Sequence, residues 1–77
     1  MSLDHDSPEP LYEQLTAILR VQIERGELTG RVRSANSLAQ DYGVSKGTAE
    51  RALAILREEK LIISAMGRGH FVARQTP

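Results

Sequence analysis

The chain has no cysteine, only two histidines, and no apolar run that approaches membrane-spanning length. Without cysteine there is neither a disulfide framework nor a thiolate metal site, and the well-separated His5 and His70 do not make a zinc cluster. No metal and no cofactor are therefore expected. The opening residues Met1-Ser2-Leu3-Asp4-His5-Asp6 are acidic where a secretion signal would be basic and then apolar. At 77 residues the chain is near the size where one apolar core only just outweighs chain entropy. These absences point to one small cytoplasmic domain, away from membranes, held together by hydrophobic burial alone.

An excess of either charge is missing too: ten basic and ten acidic residues give a formal net charge of zero. Their distribution is uneven. Asp4, Asp6, Glu9, Glu13 and Glu24 crowd the first 25 residues, whereas residues 29–57 carry Arg31, Arg33, Lys46, Arg51 and Arg57 against Asp41 and Glu50. From Ile62 onward there are Arg68 and Arg74 and no acid. A neutral chain can still present one basic face. No nucleophile–base pair or convergent carboxylates stand out, since Asp4, Asp6 and Glu9 fall in the lead-in, so an enzyme is not expected.

What is present is periodic. Residues 1–9 read as a flexible lead-in, residues 10–74 as the folded domain and residues 75–77 as a tail. Leu11, Leu15, Ile18, Leu19, Gln22 and Ile23 recur at helical spacing and predict a first helix over residues 11–25, stopped by Gly26, with Tyr12 packing beside the stripe. Leu28 and Val32 point inward from a turn and a short strand near residues 31–33. Ser34 caps a second helix over residues 35–42, which Gly43 ends; Val44 plugs the turn; and Ser45 caps a third helix from Lys46 to about residue 60. Ala49, Ala52, Leu53 and Leu56 form the core stripe of that helix, leaving Lys46, Gly47, Glu50, Arg51, Ala54 and Arg57 outward. Residues 61–65 and 70–74 are short β-rich runs around the glycine-flanked turn Met66-Gly67-Arg68-Gly69. The predicted fold is α+β, mainly α: a winged helix-turn-helix of three helices followed by a β-hairpin wing, with a short strand between the first two helices.

These pieces resemble the winged-helix DNA-binding domain of GntR-type bacterial transcription regulators. The resemblance spans Pro10 to Ala73 and is carried by Pro10-Leu11-Tyr12, Gly26-Glu27-Leu28, Leu38-Ala39, Tyr42-Gly43-Val44-Ser45, Thr48, Ala52-Leu53, Leu56 and Gly67-Arg68-Gly69-His70-Phe71-Val72. It implies a sequence-specific regulator, expected to act as a repressor, with the third helix in the major groove and the wing at the adjacent minor groove. The partner it implies is double-stranded operator DNA, with a homodimer forming on DNA. Family members usually add a C-terminal domain that binds an effector and dimerises; no effector site is expected in these residues, which read as a fragment of such a regulator or a stand-alone short member.

The DNA-contacting positions implied are Arg33, Ser34, Asn36, Ser45, Lys46, Gly47, Thr48, Glu50, Arg51, Gly67, Arg68, Gly69 and His70. Three of these depart from the family pattern. Asn36 stands where an arginine is usual, with Arg33 nearby to supply the charge, and the usual arginine-then-glutamate of the third helix is reversed to Glu50 then Arg51. Glu50 either accepts a hydrogen bond from a cytosine amino group or is a solvated surface acid. Arg51, about 100° further round the helix, is expected to reach a phosphate. Arg68 reads as a minor-groove or phosphate contact, or as a solvated turn residue, and His70 as a phosphate ligand or a cover for the hairpin. The zero net charge, Asn36 and Glu50 motivate the competing expectation of a winged-helix protein–protein adaptor with weak or no DNA binding.

Overall fold

The computed structural model describes residues 3–65 and 69–73. Helix α1 spans Leu11–Glu24 and buries Leu15, Ile18, Leu19 and Ile23 on one side. Strand β1 is the two residues Arg31–Val32. Helix α2 spans Ala35–Tyr42, α3 spans Lys46–Glu58, and strands β2 (Ile62–Ala65) and β3 (Gly69–Val72) follow. The antiparallel sheet runs β1-β3-β2, so the predicted short strand exists and pairs with the second arm of the hairpin. Its register sets Val32 against His70 and Ile62 against Val72, leaving Arg31, Phe71 and Ile63 in a row on the other face. No helix among the described residues is long and apolar enough to cross a membrane.

The core joins α1 (Leu15, Leu19, Ile23), β1 (Val32), α2 (Leu38), α3 (Ala49, Ala52, Leu53, Leu56) and β2 (Ile62). The two alanines bring α3 close to its neighbours, as their small size requires. Val44, expected as a buried plug, is only half-buried: α2 supplies one fully buried side chain, Leu38, and the turn rides at the edge of the core. The lead-in carries tethers to α1. The Asp4 amide donates to Gln14 Oε1 at 2.8 Å, and Gln14 Nε2 donates to the carbonyls of Asp4 (2.9 Å) and Glu9 (2.8 Å).

All three helices end in the same way, with an amide reaching back five residues past a left-handed one. Glu27 bonds to the Gln22 carbonyl, Val44 to Ala39 and Leu61 to Leu56. The left-handed positions are Gly26, Gly43 and Lys60, the last with φ 64°. A lysine there carries a Cβ clash that glycine does not. Lys60→Gly is therefore expected to raise stability by about 0.5–1 kcal/mol, seen as a higher urea midpoint. An unchanged or lower midpoint would show the strain to be relieved elsewhere.

Arg20 on α1 clamps Glu59 at the end of α3, with Nε donating to Oε1 at 2.9 Å and Nη2 to Oε2 at 2.6 Å. The Arg20 hydrogen bond holds the Glu59 carboxyl below the usual carboxylate range, and Glu59 pushes Arg20 up. A carboxyl whose folded pKa is depressed stabilises the fold above its unfolded pKa and loses that contribution as pH falls through the folded value. Both side chains are over a third exposed, so the pair contributes no more than about 1 kcal/mol. Glu59→Gln should lower stability at pH 7 and make little difference well below about pH 4, read by urea unfolding at both pH values.

Candidate nucleic-acid interface

The core stripe of α3 decides what its opposite side presents. Lys46, Gly47, Glu50, Arg51 and Arg57 are exposed and Ala54 is half-buried. Lys46 is the first residue of the helix, whose first turn carries no acid to neutralise it. Ser45 Oγ accepts the Thr48 amide at 3.1 Å, and its own hydroxyl donates to Thr48 Oγ1 at 2.9 Å. The Ser45 hydroxyl is thus committed to the helix start, which fixes the backbone from which Lys46 and Gly47 leave the turn. The αL conformation of Gly43 (φ 68°) makes the reversal that brings α2 and α3 together.

Glu50 and Arg51 part company. Glu50 and Arg57, two turns apart on one flank, border a hollow of ≈ 250 Å³ with Ala35 of α2 and His70 of β3. Arg51 lies on the other flank, its guanidinium carbon 4.2 Å from the centroid of the Tyr12 ring on α1. A cation over a tyrosine face at such a site is worth about 0.5–1 kcal/mol. Tyr12, expected as a packing residue, is half-buried and is also the platform that holds Arg51 against α1. Spacing alone pairs α3 with neither neighbour, so this contact was not legible in the sequence.

At the start of α2 the pattern of the α3 cap is repeated. Ser34 Oγ accepts the Ser37 amide and its hydroxyl donates to Ser37 Oγ, both at 3.2 Å. Asn36 is exposed in the first turn. Arg33, expected to replace the charge missing at that position, is bound through Nε to Asp41 Oδ2 at 2.7 Å in the last turn of the same helix. Arg31 and Arg33 line a second hollow, of ≈ 290 Å³, with Val32, Ser34 and Ser37. In the wing, Gly69 (φ 91°) and His70 lie in β3, and the predicted contacts Gly67 and Arg68 lie outside the described residues. The structure therefore brings the start of α2, the Glu50–Arg57 flank of α3 and His70 at the base of the wing around one hollow. Arg57 there and Arg31 beside Gly69 are unforeseen, since lone arginines carry no motif.

The family model for "Bacterial regulatory proteins, gntR family" matches residues 11–72. This chain belongs to the GntR family. Among the family's curated members it is 36% identical over 76 residues to the HTH-type transcriptional repressor NagR of Bacillus subtilis, covering 96% of this chain and 31% of NagR. It is 35% identical over 69 residues to the mannosyl-D-glycerate transport/metabolism system repressor MngR of Escherichia coli, covering 87% of this chain and 29% of MngR. The chain thus spans about a third of the length of these relatives. Among solved structures, YtrA from Sulfolobus acidocaldarius, a GntR-family transcription factor, matches with a TM-score of 0.88 and 27% identity over 99% of this chain and 66% of YtrA. The AraR DNA-binding domain in complex with operator ORE1 matches with a TM-score of 0.79 and 32% identity, over 92% of this chain and 89% of that one.

Proposed function

We propose that this chain is an operator-binding module of a transcriptional repressor, placing α3 in the major groove and the wing at the adjacent minor groove of double-stranded DNA. The observation that carries this reading is its likeness to the AraR DNA-binding domain, a protein whose structure holds operator ORE1, over nearly the whole of both chains. Repression is inferred from NagR and MngR, both of them repressors. No catalysis is assigned.

In this arrangement Lys46 and Gly47 meet base edges or the flanking backbone, and Ser45 and Thr48 hold the helix start that aims them. Glu50 faces the wing side of the groove floor, where a carboxylate accepts from a cytosine amino group, which makes it the residue that sets sequence preference. Arg51, drawn aside by Tyr12, serves the phosphate rim rather than the bases. Ser34, Asn36 and the free amides of α2 meet a phosphate, as does His70, and Arg33 reaches one only by giving up or sharing its pair with Asp41, while Gly67, Arg68 and Gly69 enter the minor groove. The protein is proposed to be monomeric alone and paired on DNA, which sedimentation with and without an operator would check.

The test is an anisotropy titration against random-sequence duplex at low salt, followed by selection of bound sequences from a random pool. Binding that weakens steeply with salt and converges on one motif is expected. Absence of binding at every protein concentration would leave the adaptor reading in its place.

A further inference from the structure

We propose that Tyr12 is a positioning residue for DNA binding: its ring seats the Arg51 guanidinium so that the edge of that group meets a phosphate beside the groove that α3 enters. The inference deepens the operator reading and rests on it. Arg51 is exposed, with its guanidinium carbon 4.2 Å from the centroid of the half-buried Tyr12 ring. A guanidinium stacks through its flat face and donates hydrogen bonds through its edge, so a ring can hold it without consuming its N–H groups. An ion pair does the opposite. Arg20 spends Nε and Nη2 on Glu59, and Arg33 spends Nε on Asp41. Arg51 has neither a carboxylate at ion-pairing distance nor a hydrogen-bond acceptor among the described residues. It is a cation held in place with its donors unspent.

The helix around Arg51 leaves its path open. Arg51 follows Gly47 by one turn on the same flank of α3, and helical side chains lean toward the N-terminus. Gly47 puts no side chain in the way, and a Cβ built there meets nothing nearer than Ser45 Oγ at 4.0 Å. From its seat Arg51 thus has clear space toward the end of α3 that the operator reading places in the groove. Ordering a free arginine on a phosphate costs rotamer entropy, and a guanidinium already resting on Tyr12 has given up much of it before DNA arrives. The ring therefore adds affinity without adding a phosphate contact of its own, and the tyrosine hydroxyl is not needed for the effect.

The experiment is a double-mutant cycle in duplex affinity, measured against salt for wild type, Tyr12→Phe, Tyr12→Leu, Arg51→Ala and the combined Tyr12→Leu, Arg51→Ala variant, each shown to be folded by its urea curve. Arg51→Ala is expected to weaken binding about three- to tenfold for random and selected duplexes alike and to lower the log–log salt slope by roughly 1. Tyr12→Leu should weaken it about two- to fivefold with the slope kept, since the phosphate is still met but the seat is gone. Tyr12→Phe should bind as wild type does, and Tyr12→Leu should cost nothing further once Arg51 is alanine. Wild-type affinity in Tyr12→Leu or Arg51→Ala, with wild type binding normally, overturns this assignment alone. Equal losses from Tyr12→Leu in both backgrounds, or a loss in Tyr12→Phe, would show the tyrosine acting independently of Arg51 and overturn it as well. Wild type that binds no duplex overturns the operator reading and this inference together.

Discussion

Leu56→Ala is expected to leave a large share of the protein unfolded at 25 °C. The side chain has no exposure to solvent and sits in the α3 stripe that meets α1, α2 and the sheet. Removing three heavy atoms there loses their transfer free energy and leaves a cavity that rigid neighbours fill incompletely, about 2–5 kcal/mol in all. A single core of this size supplies only about 3–5 kcal/mol of net stability. The loss is therefore comparable with the whole margin. Urea unfolding followed by circular dichroism should show a midpoint moved close to zero denaturant. Ile63→Ser offers the contrast: Ile63 is 54% exposed on the outer face of the sheet, and its replacement should shift stability by no more than about 0.5 kcal/mol. A Leu56→Ala variant as stable as Ile63→Ser would refute this account of the core.

Lys46→Ala should have the largest effect on DNA affinity of any single change in α3, about 1–3 kcal/mol, or roughly 5- to 150-fold. Lys46 is exposed, lies at the positive end of the helix dipole, and has no acid near it in the first turn. The Ser45–Thr48 pair holds the backbone from which it projects, while the side chain itself stays free to adjust to the groove. Because the charge reaches the groove wall as well as base edges, Lys46→Arg should retain most of the affinity. Affinity for a selected operator unchanged in Lys46→Ala would remove α3 from the groove. The fold should not suffer in either variant, since the side chain packs against nothing in the core.

The helix-turn-helix was readable because its signals are local. Ser34 and Ser45 each sit one residue before a helix whose third amide needs an acceptor, and Gly43 occupies a backbone conformation that costs other residues a clash. Helix periodicity likewise named Ala49, Ala52, Leu53 and Leu56, because burial on one side repeats every three to four residues. Lys60 shows the limit of that reading: it adopts the same left-handed turn without the residue type that would announce it.

The candidate interface was less readable, because what a charged side chain does depends on the partner that reaches it first. Arg33 looked available and is held by Asp41, eight residues on. Arg51 read as a free phosphate contact and lies over the ring of Tyr12 on another helix.

By itself, then, the order of apolar, capping and glycine residues determined three helices, a turn and a hairpin wing, and the kind of nucleic-acid-binding family they compose, since these depend on short-range spacing and backbone sterics. Only the tertiary structure decided which cations remain uncommitted. Arg31 reaches the wing base because β1 pairs with β3, and Arg57 borders one hollow with Glu50 and His70 because the sheet closes beside α3. Such meetings between distant residues follow from packing, where a difference of one ion pair or one stacked ring redirects a side chain at a cost of about 1 kcal/mol or less.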